Sequence, residues 1–316
     1  MTLLRNGIDL YIILKEFISN SKRLFIFVPY IKLESLKQLL SETNNCKAII
    51  VRWEAKDLIQ GSSDLEVFQY CQEKNITLYR NSRLHLKAFI DDYNQCIIGS
   101  PNISSRALNL PPNNSYNYEL ATIIDYLEFE DRLYFARIVN ESLLITPDIY
   151  KQIVNQLIDC ADTLTDETEL KFADDSLDKA FLISSLPMTS TVETLLNIFK
   201  TRENANEVEL NCALHDLALY NVPLDLTPED AYNRLKASFF SHSFIQAFLK
   251  NLEKNREIYF GASKAWIQNN CTNVPVPRKW EITQNIQILY KWIVELGEGK
   301  YKIDVPGHRS ERLSIV

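Results

Sequence analysis

One stretch, Arg83-Leu-His-Leu-Lys-Ala-Phe-Ile-Asp-Asp-Tyr-Asn-Gln-Cys-Ile-Ile-Gly-Ser-Pro-Asn102, constrains this chain more than any other. Leu84 to Ile90 alternates apolar and polar groups in a short, strand-forming run, which predicts a strand with His85 and Lys87 projecting from one face. A nucleophile and a cation then stand side by side. Cys96 to Ile98 predicts the neighbouring strand, and Gly99 lets its end turn sharply, so that Ser100 and Asn102 offer donors to the same point. Four groups able to hold a phosphate converge there.

The flanking sequence supplies a frame for that pair of strands. Ile8 to Ser19 carries Leu10, Ile13, Leu14, Phe17 and Ile18 in a helical stripe, and Leu24 to Val28 is an apolar run short enough for a strand buried on both faces. A helix over Leu33–Leu40, a strand over Ala48–Trp53, a helix opened by the capping box Ser63-x-x-Glu66 and a strand over Ile76–Tyr79 follow in alternation. Glu119 to Ile124 predicts a further strand and Glu128 to Leu143 a helix. This alternation predicts an α/β domain over residues 1–145, a mixed or parallel sheet with helices on both faces.

Beyond Pro147 the pattern is helix after helix, with an acidic connector over Asp159–Asp178. Ser190-x-x-Glu193 and Thr227-Pro-Glu-Asp230 read as helix starts. Residues 146–249 thus form a helical acidic domain. In residues 250–316, Ile282, Ile286, Leu289, Ile293 and Leu296 mark an amphipathic helix over Glu281–Leu296. A hairpin follows, Gly297 to Val305 and Glu311 to Val316 about a Pro306-Gly307 turn. Helices ending in a hairpin resemble a winged helix, whose wing would carry Lys300, Lys302, His308, Arg309 and Arg312. That basic hairpin suits a nucleic-acid backbone; it equally suits a solvated charged surface or a protein docking face.

Charge separates these segments. Of the net −7, residues 1–145 carry −1, residues 146–249 carry −10 and residues 250–316 carry +4, so only the last favours a polyanion. The six cysteines are scattered without zinc spacing and read as small buried hydrophobes of a reducing compartment. No apolar run approaches the ~20 residues of a membrane span, and Met-Thr-Leu-Leu-Arg is not the start of a signal peptide, so a cytoplasmic protein is expected. Gly297-Glu-Gly-Lys300 lacks phosphate-loop spacing and predicts a turn. His215 and His242 read as core or interface groups, and Trp53, Trp266, Trp280 and Trp292 as packing.

The spacing of His85-x-Lys87, Asp92 and Gly99-Ser100-x-Asn102 resembles the phospholipase D superfamily. The resemblance covers about the first 145 residues, and Arg52-Trp53, Asp57 to Leu65 and Leu78-Tyr-Arg-Asn81 are similar to its metal-independent restriction endonucleases of the BfiI type and helicase-associated nucleases. It implies a phospholipase D-like sheet and a metal-independent phosphodiesterase with no cofactor. It also implies roles. One His85 attacks phosphorus to give a phosphohistidine; the symmetry-related His85 of a homodimer protonates the leaving oxygen, because this chain holds no second His-x-Lys. Lys87, Ser100 and Asn102 bind the non-bridging oxygens. Asp92 ties the motif loop together, and Glu119 is the acid that orients the histidine, unless it is an ordinary strand carboxylate.

The function these observations favour is a DNA nuclease of a prokaryotic restriction or anti-phage system. The alternatives are a phospholipid hydrolase or transferase using the same histidine, and a nuclease or scaffold subunit active only when an ATPase or helicase partner delivers DNA. No membrane partner is expected.

Overall fold

The computed structural model describes residues 3–7, 9–110, 115–160, 169–172, 181–273, 282–308 and 310–316. The chain divides into two compact units, residues 1–177 and 178–316. The acidic connector lies mostly outside the described residues, as do Trp280, Glu281, Arg309 and the side chain of His308.

The first unit runs β1 (Leu3–Arg5), α1 (Leu10–Asn20), β2 (Leu24–Phe27), α2 (Leu33–Leu39), β3 (Cys46–Val51), α3 (Ala55–Ile59), α4 (Val67–Glu73), β4 (Thr77–Arg80), β5 (Ala88–Asp91), β6 (Gln95–Gly99), α5 (Ser105–Leu108), β7 (Leu120–Ile124), α6 (Phe129–Asn140), β8 (Leu143–Leu144) and α7 (Pro147–Cys160). Its eight strands form one mixed sheet in the order β1-β7-β6-β5-β2-β3-β4-β8. Only β2, β3 and β4 pair in parallel. The central strand β2 is buried at all four positions because both faces are covered. Ile26, Ile49, Phe89 and Ile97 face a core shared with α1, α2, α4 and α7, while Phe25, Phe27, Ile50 and Ile90 face α6. The α/β layering expected from the sequence is therefore present.

Three local expectations are corrected. The motif strand begins at Ala88, not Leu84. Its neighbour β2 ends at Phe27 opposite Ala88, after which Val28 N–H bonds to Ile50, so residues 84–87 have no ladder partner on that side. Ser63 does not cap a helix; its buried hydroxyl accepts from Ile31 N–H at 3.2 Å, and α4 starts at Val67. Thr191, one residue past Ser190, caps the next helix by accepting from Thr194 N–H at 3.0 Å. The first unit also continues past residue 145. Ile149, Ile153 and Leu157 of α7 form a stripe buried in the sheet's core, and each such side chain contributes about 2 kcal/mol of burial.

The second unit holds α8 (Val192–Lys200), α9 (Glu207–Leu219), α10 (Pro228–Ser241), α11 (Ser243–Asn255), β9 (Glu257–Tyr259), α12 (Phe260–Asn270), α13 (Thr283–Leu296), β10 (Tyr301–Asp304) and β11 (Arg312–Ile315). Thr227 and Pro228 open α10 as expected. The hairpin gains a third strand: β9, between two helices, pairs with β11 in the order β10-β11-β9. Helix α13 buries not one stripe but also Ile288, Tyr290 and Trp292, and the Trp292 indole donates to Thr189 O at 2.8 Å. Trp53 is fully buried and Trp266 packs edge-on against Phe248, so these three tryptophans are packing groups. His215 is tied to Asp216 and to Ser184 O, both at 2.8 Å. Burial, and then the neighbouring His215, holds His242 at a pKa of about 4. Gly297 to Lys300 makes a turn closed by Lys300 N–H to Gly297 O.

Candidate active site

The motif residues other than Asp92 gather at one edge of the large sheet, where β2, β3 and β6 end and β5 and β7 begin. The antiparallel register fixes this. Phe27 pairs with Ala88, Ala88 with Ile98, and Gly99 with Ala121, so the segments just outside those pairs share a rim. Leu84 is buried and anchors the segment carrying His85, which is exposed and makes no side-chain hydrogen bond to a described residue. An exposed, unencumbered imidazole is free to reach a ligand.

Lys87 donates to the carbonyl of His85 at 2.8 Å, while its own carbonyl accepts from Gly99 N–H at 3.2 Å. These bonds join the two motif segments. Partial burial lowers the Lys87 pKa, opposed by the nearby Glu119 carboxylate and reinforced by the Arg52 guanidinium. Ser100 N–H and Oγ are both tied to β7, the N–H donating to Leu120 O at 2.9 Å and the Oγ accepting from Leu120 N–H at 3.1 Å. Its hydroxyl donates to Glu119. Glu119 is thus held by Ser100 and by Asn117 Nδ2 at 3.2 Å, and not by His85, which departs from the orienting role expected of it within one chain. Asn102 is half-buried, and its Oδ1 accepts from no described residue; its Nδ2 is the atom able to donate to a phosphate oxygen.

Gly99 acts through close approach rather than a sharp turn. Its φ is not positive, but a Cβ there would stand 2.4 Å from Leu120 O and 2.6 Å from Ala121 Cβ. Only glycine lets β7 lie near enough for Ser100 to reach Glu119. Asp92 is remote from this rim. It lies beyond the other end of β5, left-handed at φ 46°, where it pairs with Arg23 Nη1 at 3.1 Å. The neighbouring Asp91 is the buried carboxylate, accepting from Lys22 and Arg23 N–H at 2.7 and 3.0 Å.

A cleft of about 530 Å³ opens beside Lys87 and Gly99, walled by Leu86, Ile98, Leu120 and Phe135. Its volume is that of a small organic group. Among the described residues no cluster of three or more His, Cys, Asp or Glu is grouped to hold a metal ion.

No family model and no curated protein matches this chain. Solved structures do. A phospholipase D family member, Nuc, from Salmonella typhimurium aligns at 14% identity and a TM-score of 0.36, covering 46% of this chain and 97% of its own. Phosphatidylserine synthase from Haemophilus influenzae aligns at 15% identity and a TM-score of 0.38, covering 54% of this chain and 46% of its own.

The basic groups of the C-terminal hairpin belong to the second unit. Arg312 faces Asp304 across the ladder and donates to its carboxylate at 2.9 and 2.8 Å, with Glu257 accepting a third bond at 2.6 Å. Its charge is therefore offset within the sheet. Lys302 is exposed, and Lys300 Nζ lies 5.3 Å from the Tyr301 ring centre. Arg52, Asp57 and Tyr30 form a bonded group; Arg52 and Asp57 lie in segments that carry the family resemblance, whereas nothing in the sequence pattern marks Tyr30. Among the described residues, no helix is long and apolar enough to cross a membrane.

Proposed function

We propose that this protein is a phosphodiesterase of the phospholipase D superfamily, and most specifically a DNA nuclease of a prokaryotic restriction or anti-phage system. The observation that carries this is the convergence of an exposed, unbonded His85 with Lys87, Ser100 and Asn102 on one rim, at the spacing the superfamily uses. One set supplies half of an in-line displacement, so the complete site is a homodimer's. His85 of one copy attacks phosphorus, forming a P–N bond as the P–O bond to the leaving group breaks. The protonated His85 of the second copy gives its proton to that leaving oxygen. It then takes a proton from water, which attacks phosphorus and releases the first histidine. Lys87, Ser100 and Asn102 hold the non-bridging oxygens as charge builds.

DNA is favoured over other phosphodiesters by the exposed Lys302 and Lys300 of the hairpin module, which offer sequence-independent backbone contacts. Helix α13 is too buried to enter a groove, so the module acts through its hairpin. A helicase or ATPase partner that delivers DNA fits this arrangement. The test is incubation with plasmid and linear DNA in excess chelator. Cleavage by the wild type and none by His85→Ala supports the proposal; inertness toward every DNA, with or without a co-purifying ATPase, removes the nuclease reading.

The apolar cleft beside Lys87 favours one competitor, a phospholipid hydrolase or transferase, because it has room for an organic substituent. Head-group release from phospholipid vesicles with DNA left intact selects that reading.

A further inference from the structure

Tyr30 and Arg52 stand at the rim with a geometry that fold maintenance alone does not require. Ile31 and Ile103 pair in a parallel bridge, and both are fully buried. Side chains alternate along extended backbone, so Tyr30 and Asn102, one residue before each, both turn away from that core and lie side by side. Ile103 N–H donates to Tyr30 O at 3.3 Å, which fixes this register.

Arg52 holds the tyrosine from the other side. Its Nη2 donates to the Tyr30 hydroxyl oxygen at 2.7 Å, and the guanidinium lies 4.9 Å from the tyrosine ring centre. Arg52 is itself clamped by Asp57 through bonds of 2.8 and 2.6 Å, and Asp57 is 3% exposed. A two-pronged guanidinium–carboxylate pair of this kind fixes orientation as well as charge. The next residue, Trp53, is fully buried with φ of 44°, a strained conformation for a bulky side chain. The strain falls directly after Arg52, at the point where the chain leaves β3.

The Tyr30 hydroxyl oxygen accepts a bond, but its own proton meets no acceptor among the described residues. Beside it, Asn102 Oδ1 accepts from no described residue, and it is the Nδ2 of that amide that can meet an oxyanion. The charge of Arg52 acts on Lys87, so the Arg52–Tyr30 pair and the motif lysine share one electrostatic neighbourhood. A hydroxyl that accepts from a guanidinium is polarised and donates more strongly. We infer that Tyr30 is a further oxyanion-binding residue of this site, its hydroxyl donating to a non-bridging oxygen of a phosphodiester, and that Arg52 and Asp57 are the positioning pair that aims it. This rests on the phosphodiesterase reading above and adds a substrate contact outside the motif.

The test compares wild type with Tyr30→Phe, which removes only the hydroxyl. The substrates are the p-nitrophenyl ester of thymidine 5′-monophosphate and its two phosphorothioate diastereomers, in which sulfur replaces one or the other non-bridging oxygen. Loss of one donor to the developing charge lowers kcat on the oxygen ester about tenfold or more, with KM changed less. Wild type discriminates between the diastereomers, and Tyr30→Phe loses most of that preference. A merely structural clasp alters melting but not the sulfur preference. Wild-type turnover with an unchanged Tyr30→Phe rate and preference overturns the inference and leaves the phosphodiesterase reading intact. If wild type hydrolyses no ester, that reading fails, and binding of inorganic tungstate by calorimetry decides for Tyr30. Affinity about tenfold weaker in Tyr30→Phe sustains the contact; equal affinity, or no binding by wild type, overturns it.

Discussion

At the scale of single residues, the site depends on how near two backbones can come. Gly99 is the clearest case, because a single added methyl group meets the carbonyl of Leu120 and the side chain of Ala121 at distances no relaxed structure tolerates. Gly99→Ala must push β7 away from β6, separating Ser100 from Glu119. The expected cost is about 1–3 kcal/mol of stability for the first unit, with cleavage reduced far more than that loss alone explains. Chemical denaturation and a turnover assay on the same sample check it. The motif side chains were legible because their spacing survives any uncertainty about where a strand begins. The partners were not. Nothing in the sequence says that Glu119 bonds to Ser100 rather than to His85, since that choice is made by β7 lying against β6.

At the scale of elements, helix stripes and the buried run of β2 were readable because periodicity reports burial directly. Short elements escaped. β1 and β8 contribute three and two residues, too few to show alternation, and β9 is a three-residue strand recognisable only by its partner β11. Ser63 misled for a related reason: a capping pattern specifies which donor is near in sequence, whereas Ile31 N–H reaches it from far along the chain. The place of helix α7 in the first unit's core is not readable from its apolar stripe, which does not name the surface it covers. Ile153→Ala there should destabilise the first unit by about 2–4 kcal/mol while leaving the second unit's unfolding unchanged, as urea titration followed by proteolysis would show.

The junction of α10 and α11 carries a pH dependence of its own. The His242 pKa in the fold is depressed to about 4 from 6.5, so the unfolded chain takes up this proton first as pH falls. Its contribution is complete above pH 6.5 and is lost progressively toward pH 4, at most by about 3 kcal/mol, an order-of-magnitude figure. Replacing His242 with phenylalanine should flatten the second unit's stability over that range. Unfolding curves at pH 7 and pH 4.5 for the two proteins decide it; parallel losses would assign the acid sensitivity elsewhere.

At the scale of the whole molecule, the chain forms two compact units. On the proposed reading the first carries the chemistry on a sheet rim; the second carries a hairpin with the exposed Lys300 and Lys302 and an arginine whose charge its own sheet offsets. The central claim is that one chain supplies half of a phosphoryl-transfer site and a second copy supplies the rest. A rapidly quenched reaction with a phosphodiester substrate, digested and read by mass spectrometry for a phosphoramidate on the peptide containing His85, tests this most directly. The account predicts an adduct on His85 in no more than half of the chains and none in His85→Ala; labelling of every chain, or of any other residue, contradicts it.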